Sequence, residues 1–492
     1  MGAAGLTHSS SRPRLGDALA LATAAFFVYC LLGQQAWYKE DGQVTLLRYV
    51  RGWPPHPSHL LSDDLLRLFG WVTRPLGLSA YVTARAWSAV SIAATLVVLH
   101  GTARLLGLTR TRAIAAMVML ACAPGLMFYA TVVEFHGPLL LFASLSLLAA
   151  TALGKRPTPL LAVMTGLASG LAFCVHASGA PLPALLVPWA LAVGWKSQRR
   201  TQLFLWVGVA AALHAACIPG LPFVLRAVGF LPQAIDTTAG LQGMQGVGKT
   251  ANTHFVNYLL WHVEQLRASE WASLPRTIAF EWLLPFAPLS VLAFWRNRSN
   301  ATALQAGALA IACVPFLGTS FLLMRHADEF GAYLVPLAFA AALVAGRNVP
   351  LRIAVITSLL AAVGSIVHIA NHDLWDEGDR FASQLAVVED DGPVLLLIGE
   401  PGEANAALMH QQHRPHVQFL YVVEVVLSPL QRFDEVVSGY RKDGYRVFLT
   451  GAGRKKLATL PGGGKLLAHM SAAHRLTRGP TGGLAGEWVQ AR

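Results

Sequence analysis

Long apolar blocks separated by short polar ones fill the first three quarters of the chain. Stretches of roughly 17–25 apolar residues are long enough to cross ~30 Å of hydrocarbon as helices. They recur at about 15–37, 82–106, 113–132, 137–153, 158–176, 179–195, 202–221, 278–295, 302–324, 331–346 and 353–370, which predicts a polytopic α-helical membrane protein of about eleven transmembrane helices. Two connections are long, 38–81 and 222–277. In the first, Val44, Leu47 and Val50 recur at helical spacing beside Arg48 and Arg51. Leu60, Leu61, Leu65, Leu68 and Phe69 then contrast with Asp63, Asp64 and Arg67. Both stretches predict helices lying in the membrane interface, separated by Pro54-Pro55-His56-Pro57. The second long connection ends in a predicted interfacial helix from Asn252 to Arg267. From about 371 the pattern changes to short buried-strand runs at Val394–Ile398, Val417–Val426 and Tyr445–Leu449, with a helical stretch from Gln431 to Tyr440. The expected domains are therefore a multi-spanning body over 1–370 and a small soluble α/β domain over 371–492.

Composition supports the membrane reading. Of the 492 residues 54% are hydrophobic and only 13% charged, with a mean hydropathy of +0.49, which excludes an ordinary soluble protein. A net charge of +12 would suggest nucleic acid in a soluble chain. Here the basic residues sit between apolar spans, where they act as topology signals, so no nucleic-acid partner is expected. With the N-terminus cytoplasmic, the inner connections hold Arg12, Arg14, Arg104, Arg110, Arg112, Lys155, Arg156, Lys196, Arg199, Arg200, Arg296, Arg298, Arg347 and Arg352. The short outer ones hold Glu134 and His136, then His176, then Arg325, His326, Asp328 and Glu329. An odd helix count then places the C-terminal domain outside an inner (plasma) membrane. All five cysteines lie within apolar spans without CxxC spacing, so neither a disulfide framework nor a thiolate metal site is expected. The first apolar stretch is long for a signal peptide and ends in a poor cleavage site, which predicts a retained helix.

Against this background Glu40 and Asp41 stand out, an acidic pair directly after the first apolar stretch. Carboxylates at a membrane boundary are costly unless used. The segment Glu40-Asp41-Gly42-Gln43-Val44-Thr45-Leu46-Leu47-Arg48-Tyr49 resembles the acidic motif that opens the first outer loop of the C-type (GT-C) membrane glycosyltransferases. That superfamily includes the protein O-mannosyltransferases, aminoarabinose transferases and bacterial arabinofuranosyltransferases. His56-Pro57-Ser58-His59-Leu60-Leu61 is similar to a His-Pro-x-His-Leu-Leu segment of some bacterial members. Ala84-Arg85-Ala86-Trp87-Ser88-Ala89 resembles the start of their second helix, and Tyr129 to Pro138, with Glu134, their acidic turn between the third and fourth helices. Arg325 and Tyr333, leading into Leu334-Val335-Pro336, resemble an Arg-Tyr-x-x-x-Pro helix start, although here the two residues are separated. The motifs are short, and Glu rather than Asp at position 40 is a further departure.

The resemblance implies an inverting glycosyltransferase, hexosyl or pentosyl, that moves a sugar from a polyprenyl-phosphate donor to an acceptor hydroxyl at the outer face. The acceptor is a lipid, glycan or protein, and membrane lipids surround the site. A carboxylate within reach of the attacking hydroxyl can take its proton; Asp41 is the expected base, and Glu40 orients the acceptor or a cation. The leaving phosphate needs cationic groups, for which Arg325 and His326 lead, followed by Arg48, Arg85 and Lys249. Glu134, with His136 beside it, is expected to line the acceptor or metal-facing cavity, with His56, His59 and His176 as further phosphate, acceptor or metal contacts. Each has a plainer reading: the acid pair as a helix N-terminal charge, Arg325 paired with Asp328 or Glu329, Glu134 on a solvated turn, the histidines as satisfied structural residues. No cofactor is required by the sequence, and a divalent metal stays open without a spacing that demands it. Gly243 to Thr250 matches a phosphate-loop pattern but lacks the preceding buried strand and faces outward, so ATP is not an expected partner. His410, His413 and His416 share one spacing in a polar connection and are not expected to bind metal. The competing class is a transporter or flippase of a lipid-linked substrate. Polar residues at the outer helix ends, rather than at the midplane, argue against it.

Overall fold

A computed structural model describes residues 15–33, 39–52, 61–227, 300–323, 334–370, 392–399, 416–426, 430–474, 476–478 and 489–491, with isolated positions at 385, 403 and 407. The helices, in chain order, are α1 (Leu15–Leu31), α2 (Lys39–Arg51), α3 (Ser62–Thr73), α4 (Ala80–Leu105), α5 (Arg110–Ala121), α6 (Pro124–Thr131), α7 (His136–Lys155), α8 (Pro159–Val175), α9 (Leu182–Val193), α10 (Arg200–Ala227), α11 (Asn300–Leu323), α12 (Val335–Asn348) and α13 (Leu351–Ala370). Every predicted apolar stretch coincides with helix wherever it falls on described residues; 278–295 and Asn252–Arg267 lie outside them.

The helix boundaries follow local chemistry. Thr158 caps α8 by accepting the Leu161 N–H, with Pro159 at the first position. Pro124 likewise starts α6 and disfavours helix at Ala123. The predicted single span 113–132 is therefore two helices, α5 and α6, bent by 63°. Among the described residues, α4, α7 and the first part of α10 are long and apolar enough to cross a membrane, and the bent pair makes a fourth. The remaining apolar helices are shorter.

The chain divides into two compact units. The first comprises Met1–Gln34, Pro54–Pro75 and Thr83–Asn371. In it α7 packs on α8 and α9, α8 on α10, α9 on α11, and α12 on α5 and α7. Small residues allow the closest approach. A Cβ on Gly166 would lie 2.7 Å from the Ala210 carbonyl oxygen, and one on Gly170, a turn later, would collide with Cys217. Between α5 and α12, Arg112 donates to the Arg347 carbonyl at 2.6 Å, closing the end of α12.

The second unit comprises Gln35–Trp53, Leu76–Val82 and His372–Arg492. Its strands are β1 (Val394–Ile398), β2 (Val417–Tyr421), β3 (Arg446–Leu449), β4 (Leu476–Arg478) and β5 (Val489–Ala491), in the order β2-β1-β3-β5-β4. β1 runs parallel to β2 and β3, while β5 is antiparallel to β3 and β4. The fully buried β1 and the alternating β2 suit a central and an edge strand. Helices α14 (Val422–Val426), α15 (Leu430–Lys442), α16 (Gly451–Thr459) and α17 (Gly463–Ala473) complete the domain. Phe433, Val437, Leu457, Leu466 and Met470 form its core with β1 and β3. The expected strand 417–426 ends at Tyr421 and continues as α14, where Val422 and Val425 enter this core at helical spacing.

Candidate functional site

The acid pair occupies the first turn of α2, and the backbone there is helical. The side chains of Glu40 and Asp41 lie outside the described residues. Further along, Thr45, Leu46 and Leu47 are buried, so an amphipathic helix predicted from 43–53 forms and begins earlier. At its far end the Arg51 guanidinium donates to the Phe419 carbonyl at 2.8 Å and lies over the Phe419 ring, 4.4 Å from its centroid. Arg48 is half-buried on the same helix.

In the helical unit the turn between α6 and α7 is not solvated. Glu134 is 6% exposed and His136 4%. Ser88, on α4, holds this turn from the side: its hydroxyl donates to the Glu134 carbonyl at 3.1 Å and accepts the Glu134 N–H at 3.3 Å. A Cβ on Gly137 would meet the Ser88 carbonyl oxygen at 2.8 Å, so glycine is what lets α7 start against α4. The Glu134 carboxylate approaches His136 Nδ1 at 3.4 Å. Tyr129 and Phe135 both stack on the His136 ring, at 4.1 and 4.2 Å, and Phe135 stacks on His176 at 3.8 Å. The structure thus brings together three predicted residues, Glu134, His136 and His176, through two aromatic rings.

His176 has a defined internal role. Its Nδ1 accepts the Ser178 N–H at 3.1 Å and lies 2.7 Å from the Ser178 hydroxyl. Accepting a backbone N–H fixes Nδ1 as unprotonated, so the neutral ring carries its hydrogen on Nε2. In that state it can donate to an oxygen but does not offer the free Nε2 lone pair that a metal would need.

Sequence reasoning missed a second acid pair, Asp63 and Asp64. The sequence sets them opposite the leucines of an interfacial helix without saying which face packs on protein, and in α3 it is the acidic start that is buried. Asp63 is fully buried and Asp64 is 8% exposed, while Leu68, Trp71 and Val72 are exposed. Burial pushes the Asp64 carboxyl above its ordinary range, opposed by the Arg67 guanidinium, which donates to it at 2.9 Å. Packing explains the burial. The Leu61 N–H donates to the Cys174 carbonyl at the end of α8 (2.9 Å), and Phe69 packs on Trp87 with ring centroids 5.2 Å apart. The start of α3 therefore arrives at the end of the bundle that holds His176. The available signal was that Asp63-Asp64 is adjacent and acidic, as Glu40-Asp41 is, in a chain poor in carboxylates.

Arg85 donates to the Cys30 carbonyl at 3.4 Å and crowds Gly33, closing the end of α1. His56, His59, Arg325, His326 and Lys249 lie outside the described residues, as do the phosphate-loop-like run 243–250 and His410 and His413. His416 contributes its backbone carbonyl to Val394 at 3.0 Å.

Among the described residues, Asp434, His469 and His474 have donor atoms close enough to surround a metal ion. Asp434 Oδ1 lies 2.8 Å from His469 Nε2 and 2.9 Å from His474 Nε2. Arg441, which can only donate, faces His474 Nδ1 at 3.1 Å. That ring therefore carries its hydrogen on Nε2, toward the carboxylate. The set is a hydrogen-bonded clasp between α15 and the end of α17, and the His474 tautomer does not fit a metal ligand.

No protein-family model and no curated protein matches the sequence. Solved structures do match. ArnT from Cupriavidus metallidurans bound to undecaprenyl phosphate aligns over 97% of this chain and 98% of its own, with 14% identity and a TM-score of 0.55. The apo form of the same protein aligns over the same shares with 15% identity and a TM-score of 0.55. The chain thus has the fold of ArnT along nearly its whole length: a polytopic membrane body with a small C-terminal α/β domain, as the hydropathy pattern predicted.

Proposed function

We propose that this protein is a membrane glycosyltransferase that takes a sugar from a polyprenyl-phosphate donor. The observation that carries the reading is the end-to-end likeness to ArnT, a protein found with undecaprenyl phosphate bound. The acidic motif at the start of α2 adds support from this chain's own residues.

In the proposed reaction the acceptor hydroxyl gives its proton to the Asp41 carboxylate. Its oxygen forms a bond to the anomeric carbon of the donor sugar from the face opposite the phosphate. The carbon–oxygen bond to phosphate breaks, and polyprenyl phosphate leaves with the electron pair. One displacement inverts the anomeric centre. Glu40 orients the acceptor, and Arg325 and His326 meet the leaving phosphate. Glu134 accepts hydrogen bonds from acceptor hydroxyls, and the His176 Nε2–H is a donor to a sugar or phosphate oxygen. The site faces the outer side of the membrane, with the N-terminus cytoplasmic, as the loop charges suggest.

The test is transfer from radiolabelled undecaprenyl-phosphate-linked mannose, arabinose and aminoarabinose to membrane lipid, glycan and protein fractions, with wild type and Asp41→Asn. Removing a general base is expected to lower kcat by about 10²–10⁴-fold. Full turnover by Asp41→Asn at normal expression would refute the base assignment. Absence of transfer by wild type from every donor would refute the reading as a whole.

A further inference from the structure

The helix that starts with the acid pair ends on the soluble domain. Strand β2 is an edge strand, and edge strands leave backbone groups for other partners. One of these, the Phe419 carbonyl, accepts the Arg51 guanidinium, which also covers the Phe419 ring. A single planar cation thus fixes both the distance and the tilt of the end of α2 relative to the strand. Phe419 itself is 3% exposed, so the strand side of the anchor is packed, while Arg51 reaches it from an exposed position.

We propose that the C-terminal α/β domain is the mount for the acidic helix, with Arg51 a positioning residue for Glu40 and Asp41. The inference rests on the transferase reading of that pair. The helix makes the coupling mechanical. Glu40 and Arg51 are eleven residues apart, about 17 Å at 1.5 Å per residue. A tilt of about 10° at Arg51 would displace the acidic end by roughly 3 Å over that length. A misplacement of about 1 Å can cost as much as 10²-fold in rate. Leu46 and Leu47 are each 1% exposed, a second hold on α2 apart from Arg51, so the expected change is greater angular freedom rather than loss of the helix.

Because a base acts in the transition state and not in donor binding, the loss should fall on kcat. The experiment compares wild type, Arg51→Ala and Arg51→Lys in nanodiscs. It measures hydrogen–deuterium exchange of peptides covering 39–51 and 394–398, and transfer kinetics with whichever of the three undecaprenyl-phosphate sugars serves as donor. Arg51→Ala is expected to raise exchange in 39–51 at least fivefold, leave 394–398 unchanged, and lower kcat five- to twentyfold with donor KM within twofold. Arg51→Lys, which keeps a donor and a charge, is expected to recover kcat to within threefold.

Unchanged exchange in Arg51→Ala would overturn the anchoring. Increased exchange with unchanged kcat, or a loss confined to KM, would overturn the positioning role. If wild type transfers no sugar, the transferase reading and the positioning role fail together, and the exchange result alone decides whether the domain anchors α2.

Discussion

Ser88→Ala tests how the buried turn is held. The Ser88 hydroxyl is the shared partner of two backbone groups of Glu134, a carbonyl at 3.1 Å and an N–H at 3.3 Å, and Ser88 is 1% exposed. Removing the oxygen deletes both bonds within a buried contact. An orphaned buried backbone group costs about 1–3 kcal/mol. Side-chain hydrogen bonds between membrane helices average only ~0.6 kcal/mol, because the loosened state finds other partners. Here the backbone of a fixed turn has little freedom to do so, and both bonds are long, so ~2 kcal/mol is expected from the two together. The assay is reversible unfolding in mixed SDS micelles, with Ser88→Thr as the control that keeps the hydroxyl. A loss below about 0.5 kcal/mol in Ser88→Ala, or an equal loss in Ser88→Thr, would refute the argument that Ser88 pins the turn.

Two further outcomes follow from the same kind of reasoning. Gly166→Leu places side-chain atoms where α10 already stands, since even a Cβ would sit 2.7 Å from the Ala210 carbonyl; overpacking should cost about 1–3 kcal/mol in the same unfolding assay, and no loss would mean that α8 and α10 are not in contact there. Asp434 is held below the ordinary carboxylate range by N–H donation from His469, with His474 adding to it. A depressed carboxyl contributes stability that is fully present above its unfolded pKa, about 3.9, and is lost as pH falls through the lower folded value. Between pH 5 and 2.5 the C-terminal domain of the full chain should become sensitive to pepsin, over roughly the range below pH 4. Asp434→Asn should flatten that dependence, and an unchanged profile would refute it.

Much of the fold was legible because the helix pattern is long and repetitive. The helix after the acidic pair was legible from Val44, Leu47 and Val50 at helical spacing, although it begins earlier, at Lys39. The bent crossing was marked by Pro124, whose effect on Ala123 is local and readable, yet the continuous apolar run over 113–132 concealed it. Val417–Val426 was ambiguous for a simpler reason: a short apolar run does not choose between strand and helix, and the core beside Val422 and Val425 made the choice. The orientation of α3 was not legible at all. Its period places the acids opposite the leucines, but only the bond from Leu61 to Cys174 and the Phe69–Trp87 contact determine which side faces inward. Likewise the sequence names His176 but not Ser178, whose N–H decides the tautomer.

The 63° bend between α5 and α6 shortens a crossing. Twelve residues rise about 18 Å and the next eight add only about 5 Å along the same direction, roughly 23 Å in all, against ~30 Å of hydrocarbon. The turn bearing Glu134 follows this bend with Glu134, Phe135 and His136 all buried, and irregular backbone at membrane depth is tolerated only if protein encloses it. That enclosure is what Ser88, Tyr129 and Phe135 supply. Any partner that reaches this carboxylate, 6% exposed, must first displace part of that packing, so access to it is coupled to movement of the Tyr129, Phe135 and His136 rings.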